Sequence, residues 1–312
     1  MAAPINRGSK EKRGPALKID IVYIACYRYD IRLTRILVAS IRYWYPDLPI
    51  CLVKDEFYGG YDTSEIESVW NVSILPSEIP IYGWGFGNLE PLFQPKRERC
   101  LVLDSDIVLA GKVLDLLEQF DEDFIVTYEK SDNPKFVKSG YFDPDEVKKI
   151  DPDFNFRGYT FNAGQFAGWT GIISRDDFAP FLEWTHPPTM KHHRLFRYGD
   201  QGLFNYLLTK KSDLGQISLK RIRFMEVADD PFVLSVEDLR QRRGLPAVIH
   251  WCGLRGPPLE KRVRADILQF FEDRYYERIR FGSLKRKFRI FSDGFVGQVR
   301  TWVNRFRRKR KT

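Results

Sequence analysis

The chain has 312 residues, of which 43% are hydrophobic, 15% aromatic and 29% charged. This composition allows a large buried core and excludes a disordered or low-complexity protein. The longest apolar runs are too short to span a bilayer, and the polar, basic start lacks the apolar stretch of a signal peptide. We therefore expect neither a membrane span nor a signal peptide.

The net charge of +8 is divided unevenly along the chain. Residues 274–312 contain 14 Lys or Arg and 2 Asp or Glu, a net charge of +12, which leaves −4 for residues 1–273. The body of the protein is thus mildly acidic and carries a basic tail. Such a tail is expected to bind nucleic acid, anionic lipid or an acidic protein.

The four cysteines are Cys26, Cys51, Cys100 and Cys252. They are scattered and show none of the CxxC spacing of a zinc site. We therefore expect reduced, mostly buried thiols and a cytoplasmic protein.

Strands and helices alternate along the first half of the chain. Short apolar runs predict strands over Ile19–Ala25, Ile50–Val53, Val72–Leu75 and Asp123–Thr127. Amphipathic spacing predicts helices over Thr34–Tyr45, Ser64–Val69 and Val113–Phe120. The alternation is typical of an α/β fold, in which helices cover both faces of a parallel or mixed sheet.

The second half continues the pattern after a long interruption. The polar segment Ser131–Arg157 contains three prolines, and such long excursions often form lids or substrate loops. Strands are predicted beyond it over Tyr159–Trp169, Arg221–Val227 and Ala247–Trp251. Helices are predicted over Asp177–Trp184, Gly202–Leu208 and Leu259–Ile279. The segment Pro80–Gln94, rich in glycine and aromatic residues, is ambiguous.

The most informative feature is an apolar strand, residues 100–109, that carries Asp104 and Asp106. Side chains at positions i and i+2 of a strand point the same way, so the two carboxylates are expected side by side. The loop edge of an open α/β sheet is where ligands bind, and paired carboxylates there suit a divalent cation that clamps a diphosphate. The alternative is an acidic, solvated turn.

Three further blocks follow in the chain. They are Phe161-Asn162-Ala163-Gly164 at a strand end, Asp200-Gln201-Gly202 at a helix start, and a stretch from His250 to Pro257 after the last strand. Each has a structural alternative: a tight turn at Asn162, a helix cap at Asp200, and a backbone-bonded histidine at His250.

In this order and spacing, from about residue 19 to residue 257, the four blocks resemble the retaining glycosyltransferases of family 8. The likeness is strongest to the bacterial galactosyl- and glucosyltransferases of lipopolysaccharide and lipooligosaccharide synthesis. It implies a GT-A fold, a Rossmann-like mixed sheet flanked by helices, and transfer of a hexose from a nucleotide sugar, usually UDP-linked. The acceptor would be a saccharide or a lipid-linked saccharide of the cell surface.

The resemblance also implies residue roles. Asp104, Asp106 and His250 would bind Mn²⁺, which accepts an imidazole ligand more readily than Mg²⁺ does. Asn162 and Asp200 would hold the donor sugar, and Gln201 would lie near the anomeric carbon. Because an amide is a poor nucleophile, we favour a same-face transfer in which the leaving phosphate oxygen takes the acceptor's proton, over a double displacement.

The sequence departs from the family pattern in two places. Gly256 stands where the family has a lysine, in the loop that begins with Gly253, and the neighbouring Arg255 is expected to contact the diphosphate instead. The first strand lacks the acidic residues expected to bind uracil, so Tyr27 or Tyr29 is expected to stack on the base.

Residues 281–312 interleave aromatic and basic side chains. From Phe295, the apolar positions 295, 299, 302, 303 and 306 fall on one helical face, which is typical of a segment lying in a membrane interface. The alternative is an RNA-binding or solvated tail. We predict a polar segment over 1–18, a catalytic domain over 19–280 and a basic aromatic tail over 281–312, with the protein peripheral on the inner face of the plasma membrane.

Two other functions stay open at this point. A nucleotidyltransferase also uses paired carboxylates, but it ordinarily has a glycine-rich, lysine-bearing loop after the first strand, and residues 25–35 contain no glycine. A non-catalytic membrane or nucleic-acid adaptor on a decayed transferase fold is favoured only by Gly256. Nucleic acid is not the expected partner.

Overall fold

The fold is built around a sheet whose strands come from nearly the whole chain. A computed structural model describes residues 18–83, 85–192, 194–197, 199–252 and 258–291. Its strands are β1 (Ile21–Tyr27), β2 (Ile50–Asp55), β3 (Ser73–Ile74), β4 (Arg99–Asp104), β5 (Ile107–Leu109), β6 (Phe124–Thr127), β7 (Gln165–Trp169), β8 (Leu182–Glu183), β9 (Thr189–Met190), β10 (Leu219–Ile222), β11 (Met225–Val227) and β12 (Val248–His250).

Helices connect most of these strands. The α-helices are α1 (Ile31–Trp44), α2 (Ser64–Trp70), α3 (Val113–Leu117), α4 (Pro134–Gly140), α5 (Pro144–Ile150), α6 (Arg175–Phe178), α7 (Asp200–Asp213), α8 (Val236–Arg240) and α9 (Ala265–Glu277). Short 3₁₀ helices cover Arg28–Asp30, Phe86–Phe93 and Leu259–Lys261.

Seven strands form the main sheet in the order β10-β6-β7-β4-β1-β2-β3. Strand β7 runs antiparallel to both of its neighbours, and the other neighbouring strands pair in parallel. The carboxyl ends of β1, β2, β4, β6 and β10 therefore lie along one edge. The predicted α/β fold with a mixed sheet is confirmed.

Both faces of the main sheet are buried. Along β1, Val22 and Ile24 belong to a core that includes α1 and α9, and Tyr23 between them belongs to a second core on the opposite face. Both faces of β1 are therefore apolar, because each is covered by other parts of the protein. This explains why the strands are nearly continuous apolar runs in the sequence.

A second sheet, in the order β11-β12-β5, corrects two strand predictions. Only Ser105 and Asp106 separate β4 from β5, and the chain changes sheets at that turn. Residues 100–109 are therefore two strands rather than one. Likewise, the predicted strand Arg221–Val227 divides into β10 in the main sheet and β11 in the second.

Two predicted helices were wrong in extent. In place of the helix predicted over Asp177–Trp184, the structure has the shorter α6. It starts earlier than predicted because Ser174 and Asp177 form a capping box at its amino end. The helix predicted over Leu259–Ile279 is interrupted before α9 by Arg264, whose φ of 56° is not helical. The strand predicted from Tyr159 also starts later, at the first residue of β7.

The long excursion Ser131–Arg157 contains helices that the pattern did not reveal. Helices α4 and α5 each begin with proline at the first turn, where the missing N–H costs nothing. The side chains of Asn133 and Asp143 cap them by accepting bonds from backbone N–H groups two residues on. Here proline starts helices instead of excluding them.

The thiols of the four cysteines are free, and three of them are buried. This confirms the prediction of unpaired, mostly buried cysteines.

A C-terminal helix, residues 282–291, follows α9 and lies against the body through ion pairs. Arg289 donates to Glu65 of α2 at 2.7 Å, and Arg286 donates to Glu272 of α9 at 3.0 Å. The basic side chains involved therefore face the protein and not the solvent.

No helix among the described residues is long and apolar enough to cross a membrane. The amphipathic face predicted from Phe295 onward lies outside the described residues.

Candidate functional site

Three metal-ligand side chains converge where the two sheets meet. Strand β4 ends at Asp104, the following turn contains Asp106, and β12, paired with β5, ends at His250. Nε2 of His250 lies 3.1 Å from Oδ1 of Asp106 and 3.9 Å from Oδ2 of Asp104. One ligand atom from each residue lies within 4.8 Å of the others. The turn, and not strand alternation as predicted, brings the two carboxylates together.

The three side chains can come together because residue 164 is a glycine and has no side chain in the space they occupy. A Cβ atom at that position would lie 2.4 Å from Oδ2 of Asp104 and 2.8 Å from Cε1 of His250. The backbone also joins the two segments, since the N–H of Asp104 donates to the carbonyl of Gly164 at 2.7 Å. Two carboxylates and one imidazole form a donor set that suits Mn²⁺ better than Mg²⁺. The residues present fit such an ion.

The three groups shift each other's protonation. Removal from water and the charge of Asp106 raise the pKa of Asp104. For Asp106, burial alone would raise the pKa, but the charge and hydrogen bond of His250 lower it overall. Burial opposes protonation of His250, but the charge and hydrogen bond of Asp106 and the charges of Asp104 and Glu129 together outweigh it, so the pKa of His250 is raised. A bound cation would compensate the charge of the two carboxylates in place of a proton on the imidazole.

Asn88 orients the first carboxylate. Its Nδ2 donates to Oδ1 of Asp104 at 2.8 Å, and its own N–H donates to the carbonyl of Gly85 at 3.0 Å. Asn88 is buried in the 3₁₀ helix of the segment that the sequence left ambiguous. Sequence reasoning missed this residue because no periodicity marks it.

Asn162 links the cluster to a further acidic residue. Its Oδ1 accepts from the N–H of Gly164 at 2.9 Å and from Nε2 of Gln165 at 3.2 Å, as a tight turn requires. Its Nδ2 lies 3.3 Å from Oε2 of Glu129, which also accepts a hydrogen bond from the hydroxyl of Tyr141. Sequence reasoning missed Glu129. Its position just after a parallel strand was the available signal.

Asp200 is buried, and its carboxyl is close enough to Asp104 for the two charges to interact. It is 5% exposed and is the first residue of α7, so Gly199 and not Asp200 is the N-cap. Its Oδ1 would lie 1.9 Å from a Cβ at Gly85, so the glycine allows the close approach. Burial first, and the charge of Asp104 second, raise the pKa of Asp200 well above its usual range.

Gln201 is anchored at the start of α7. Its Nε2 lies 3.4 Å from the carbonyl oxygen of Gly140, at the end of α4. Its own carbonyl accepts from Nδ2 of Asn205 at 2.9 Å, and Oδ1 of Asn205 accepts from the N–H of Phe161 at 2.8 Å. Asn205 therefore fastens the helix to the segment that carries Asn162.

Aromatic residues gather at the carboxyl ends of β1 and β2. The ring of Tyr58 lies 5.9 Å from that of Tyr27, 5.2 Å from that of Tyr29 and 4.9 Å from that of Phe57. Sequence reasoning named Tyr27 at the end of β1 and Tyr29 just after it, but missed the pair after β2. We call these four residues the aromatic cluster.

Gly253 and Arg255, predicted to contact the diphosphate, lie outside the described residues, as does Gly256. The other predicted site residues all lie at the carboxyl edge of the main sheet or next to it. The order along that edge is the aromatic cluster at β1 and β2, Asp104 at β4, Asn162 before β7, and Glu129 after β6.

No family model and no curated protein matches the chain. Solved structures do match it. The apo structure of the bifunctional glycosyltransferase WbbM has a TM-score of 0.53 and 14% identity, and covers 86% of this chain and 51% of its own. The chain thus spans about half the length of WbbM.

Two further structures are similar. The galactosyltransferase LgtC, in complex with donor and acceptor sugar analogues, has a TM-score of 0.51 and 15% identity, over 82% of this chain and 95% of its own. Apo GlyE, a glycosyltransferase of Streptococcus pneumoniae, has a TM-score of 0.50 and 15% identity, over 90% of this chain and 64% of its own. The chain therefore has the GT-A fold of these glycosyltransferases.

Proposed function

We propose that this protein is a metal-dependent, retaining hexosyltransferase that uses a nucleotide sugar, UDP-linked, as its donor. The observation that carries the proposal is the convergence of Asp104, Asp106 and His250 at the ligand-binding edge of a GT-A sheet, with Asn162 next to them and the charge of Asp200 within reach of Asp104. The complex of LgtC with donor and acceptor sugar analogues supports a sugar donor and a sugar acceptor for the same fold.

The cation would be bound by Asp104, Asp106 and His250. Two carboxylates and an imidazole favour Mn²⁺ as that cation. A bound Mn²⁺ supplies positive charge that stabilises the departing diphosphate. Asn88 keeps Asp104 oriented through its 2.8 Å hydrogen bond. Arg255 would add a second positive charge at the diphosphate, in place of the family's lysine.

The donor sugar would lie between Asn162 and Asp200, whose polar groups bind its hydroxyls. In the transfer, the bond between the anomeric carbon and the diphosphate oxygen breaks, and the acceptor oxygen bonds to the anomeric carbon on the same face. The leaving phosphate oxygen takes the proton of the acceptor hydroxyl, so atoms and charges balance. The amide of Gln201 would stabilise the opposite face without forming a bond.

The base would lie on the aromatic cluster. Tyr27 and its neighbours offer ring faces at the carboxyl ends of β1 and β2, on the opposite side of Asp104 from Asn162. Stacking on these rings requires no acidic residue at the end of β1.

The C-terminal helix supports a peripheral association with anionic membranes on the inner face of the plasma membrane. Phe281, Leu284, Phe288 and Phe291, from just before the helix to its last described residue, are 66–75% exposed and three or four residues apart, which places them on one face. We call these four residues the apolar stripe. Such a stripe binds the acyl boundary of a lipid surface, and a lipid-linked acceptor would be presented there.

A nucleotidyltransferase is less well supported. Strand β1 passes at Tyr27 directly into the 3₁₀ helix Arg28–Asp30 and then into α1, with no glycine-rich loop for a phosphate.

The test is turnover of a panel of UDP-sugars with Mn²⁺, with Mg²⁺ and with EDTA. We expect Mn²⁺-stimulated release of UDP that is lost in Asp106→Asn. The matched control is Asp121→Asn, an exposed aspartate before the amino end of β6. If no nucleotide sugar is bound or hydrolysed with any metal, the proposed function is wrong.

A further inference from the structure

The proposed donor lies over the carboxyl ends of β1, β2 and β4. The carboxyl ends of β6 and β10, at the other end of the same sheet edge, are not used by the donor. The aromatic cluster lies at β1 and β2, and Asp104 at β4. Strand β6 is two positions beyond β4 in the other direction, which is about 10 Å at the usual strand spacing. A molecule approaching the donor sugar from that side would meet the residues after β6.

Tyr128 is the first residue after β6, and its side chain is 47% exposed. The guanidinium of Arg221, from β10, lies 4.2 Å from the centre of the Tyr128 ring and 4.4 Å from the centre of the Tyr159 ring. Arg221 therefore packs against the ring of Tyr128, and about half of the tyrosine's surface remains open to solvent.

This stack is held rigidly. Both terminal nitrogens of Arg221 donate to the carboxylate of Asp132, over 2.8 to 3.1 Å, and only 11% of the arginine side chain is exposed. Asp132 also accepts from the N–H of Thr160 at 3.3 Å. The charge of Arg221 is thus compensated within the stack, and a ligand on Tyr128 need not be anionic.

The stack is directly joined to the sugar side of the site. Glu129, the residue after Tyr128, lies 3.3 Å from the amide of Asn162. Asn162 in turn accepts from the N–H of Gly164, which lies against Asp104 and His250. An exposed aromatic ring fixed at this point does not contribute to a core, since half of it remains in water.

We propose that Tyr128 binds the acceptor saccharide, with the apolar C–H face of a pyranose ring packed on its open face, and that Arg221 is the positioning residue that holds the tyrosine. The proposal rests on the transferase function proposed above and adds the acceptor's location. Aromatic rings beside a few polar groups are a common lining of small-molecule sites, and packing removes apolar area of both rings from water.

The test uses the full chain with a saturating UDP-sugar and a panel of acceptor probes: methyl glucosides, methyl galactosides, lactose and maltose. Donor hydrolysis without acceptor is measured separately. We expect Tyr128→Ala to raise the acceptor KM at least tenfold and to change the hydrolysis rate and donor KM less than twofold. Tyr128→Phe and Tyr128→Trp should keep the acceptor KM near that of the wild type.

Arg221→Ala should raise the acceptor KM by a smaller factor, and the double variant with Tyr128→Ala should show no further increase, because both changes remove one surface. The comparison variant is Tyr29→Ala, an exposed tyrosine of the aromatic cluster, which should affect the donor KM only.

The outcomes separate the two proposals. Absence of donor hydrolysis in the wild type contradicts the transferase function itself. If the wild type does hydrolyse the donor, three results would overturn the acceptor site alone. These are an unchanged acceptor KM in Tyr128→Ala, a Tyr128→Phe variant whose acceptor KM rises as much as that of the alanine variant, or no stimulation of UDP release by any saccharide of the panel.

Discussion

Gly164 and Asp104 are so close that a methyl group on the glycine would lie 2.4 Å from Oδ2 of the aspartate. Gly164→Ala is therefore expected to displace the carboxylate and weaken Mn²⁺ binding by about 10- to 100-fold, as loss of ligand orientation does at metal sites. Titration of Mn²⁺ by calorimetry measures this. Gly60→Ala, where the added methyl meets only ordinary contacts, is the control. Equal Mn²⁺ affinity in both variants would contradict the assigned site.

Asn88 donates the hydrogen bond that orients Asp104. Asn88→Ala should lower the affinity for Mn²⁺ about tenfold, because the carboxylate loses its fixed orientation. Asn88→Asp should lower it further or raise the pKa of Asp104, since it adds a like charge at 2.8 Å. Calorimetry with Mn²⁺ alone checks both, and an unchanged affinity in Asn88→Ala would exclude the orienting role.

Glu129 is a carboxylate close to the proposed sugar site, so it tests the same-face mechanism. It already accepts hydrogen bonds from Asn162 and Tyr141, and we expect it to position Asn162 rather than to form a covalent bond. Glu129→Gln should then lower turnover by up to about a hundredfold, and mass spectrometry should find no glycosylated protein in either form. A hexose adduct on Glu129 would instead establish double displacement.

Acid should release the C-terminal helix from the body. Burial by itself raises the pKa of Glu65, but the hydrogen bonds and charge of Arg289 outweigh it and lower the pKa to about 2, from an ordinary value of 4.5. The ionised carboxylate therefore stabilises the folded protein above pH 4.5, and that contribution is lost as the pH falls from 4.5 toward 2.

The measurement is the Tm of the wild type and of Glu65→Gln between pH 7 and pH 3. The variant should melt lower at pH 7, and the difference should shrink below pH 4.5. Glu146→Gln, an exposed glutamate of α5, should match the wild type throughout. A difference that grows in acid would show that Glu65 does not act through its charge.

The apolar stripe should determine membrane binding more than the basic side chains beside it do. Lys285 and Arg289 donate to Glu65 and are engaged with the protein. Replacing Phe288 and Phe291 together by serine should therefore reduce sedimentation with phosphatidylglycerol-containing vesicles.

Val233→Ser, at an exposed apolar residue outside the stripe, controls for general loss of surface hydrophobicity. If the double variant sediments like the wild type, the stripe does not bind lipid.

The strands and first helix could be predicted because their signals are local. Leu33, Ile36, Leu37 and Ile41 recur with helical spacing, and all are buried in α1. The separation of β4 from β5 at Ser105 and Asp106 could not be predicted, because the residues on both sides are equally apolar. Pairing of β5 with β12, some 140 residues later, decides that the chain changes sheets there.

The site was predictable only where a motif marks it. Asp104, Asp106 and His250 belong to recognisable blocks, and the structure brings them together. Asn88 and Glu129 belong to none, and only the folded contacts show that they bond to Asp104 and Asn162. Polar residues that orient a ligand residue carry no sequence period, because each serves a single contact.

The position of the cluster between two sheets couples ion binding to cohesion of the protein. Asp104 ends a strand of the main sheet, and His250 ends a strand of the second sheet, while the carbonyl of Asp106 accepts from the N–H of Trp251 at 3.0 Å. A cation bound by Asp104, Asp106 and His250 would link the two sheets directly. Binding of the cation would therefore slow the exchange of amide hydrogens throughout β5 and β12, and not only at the ligand residues, even without a bound sugar.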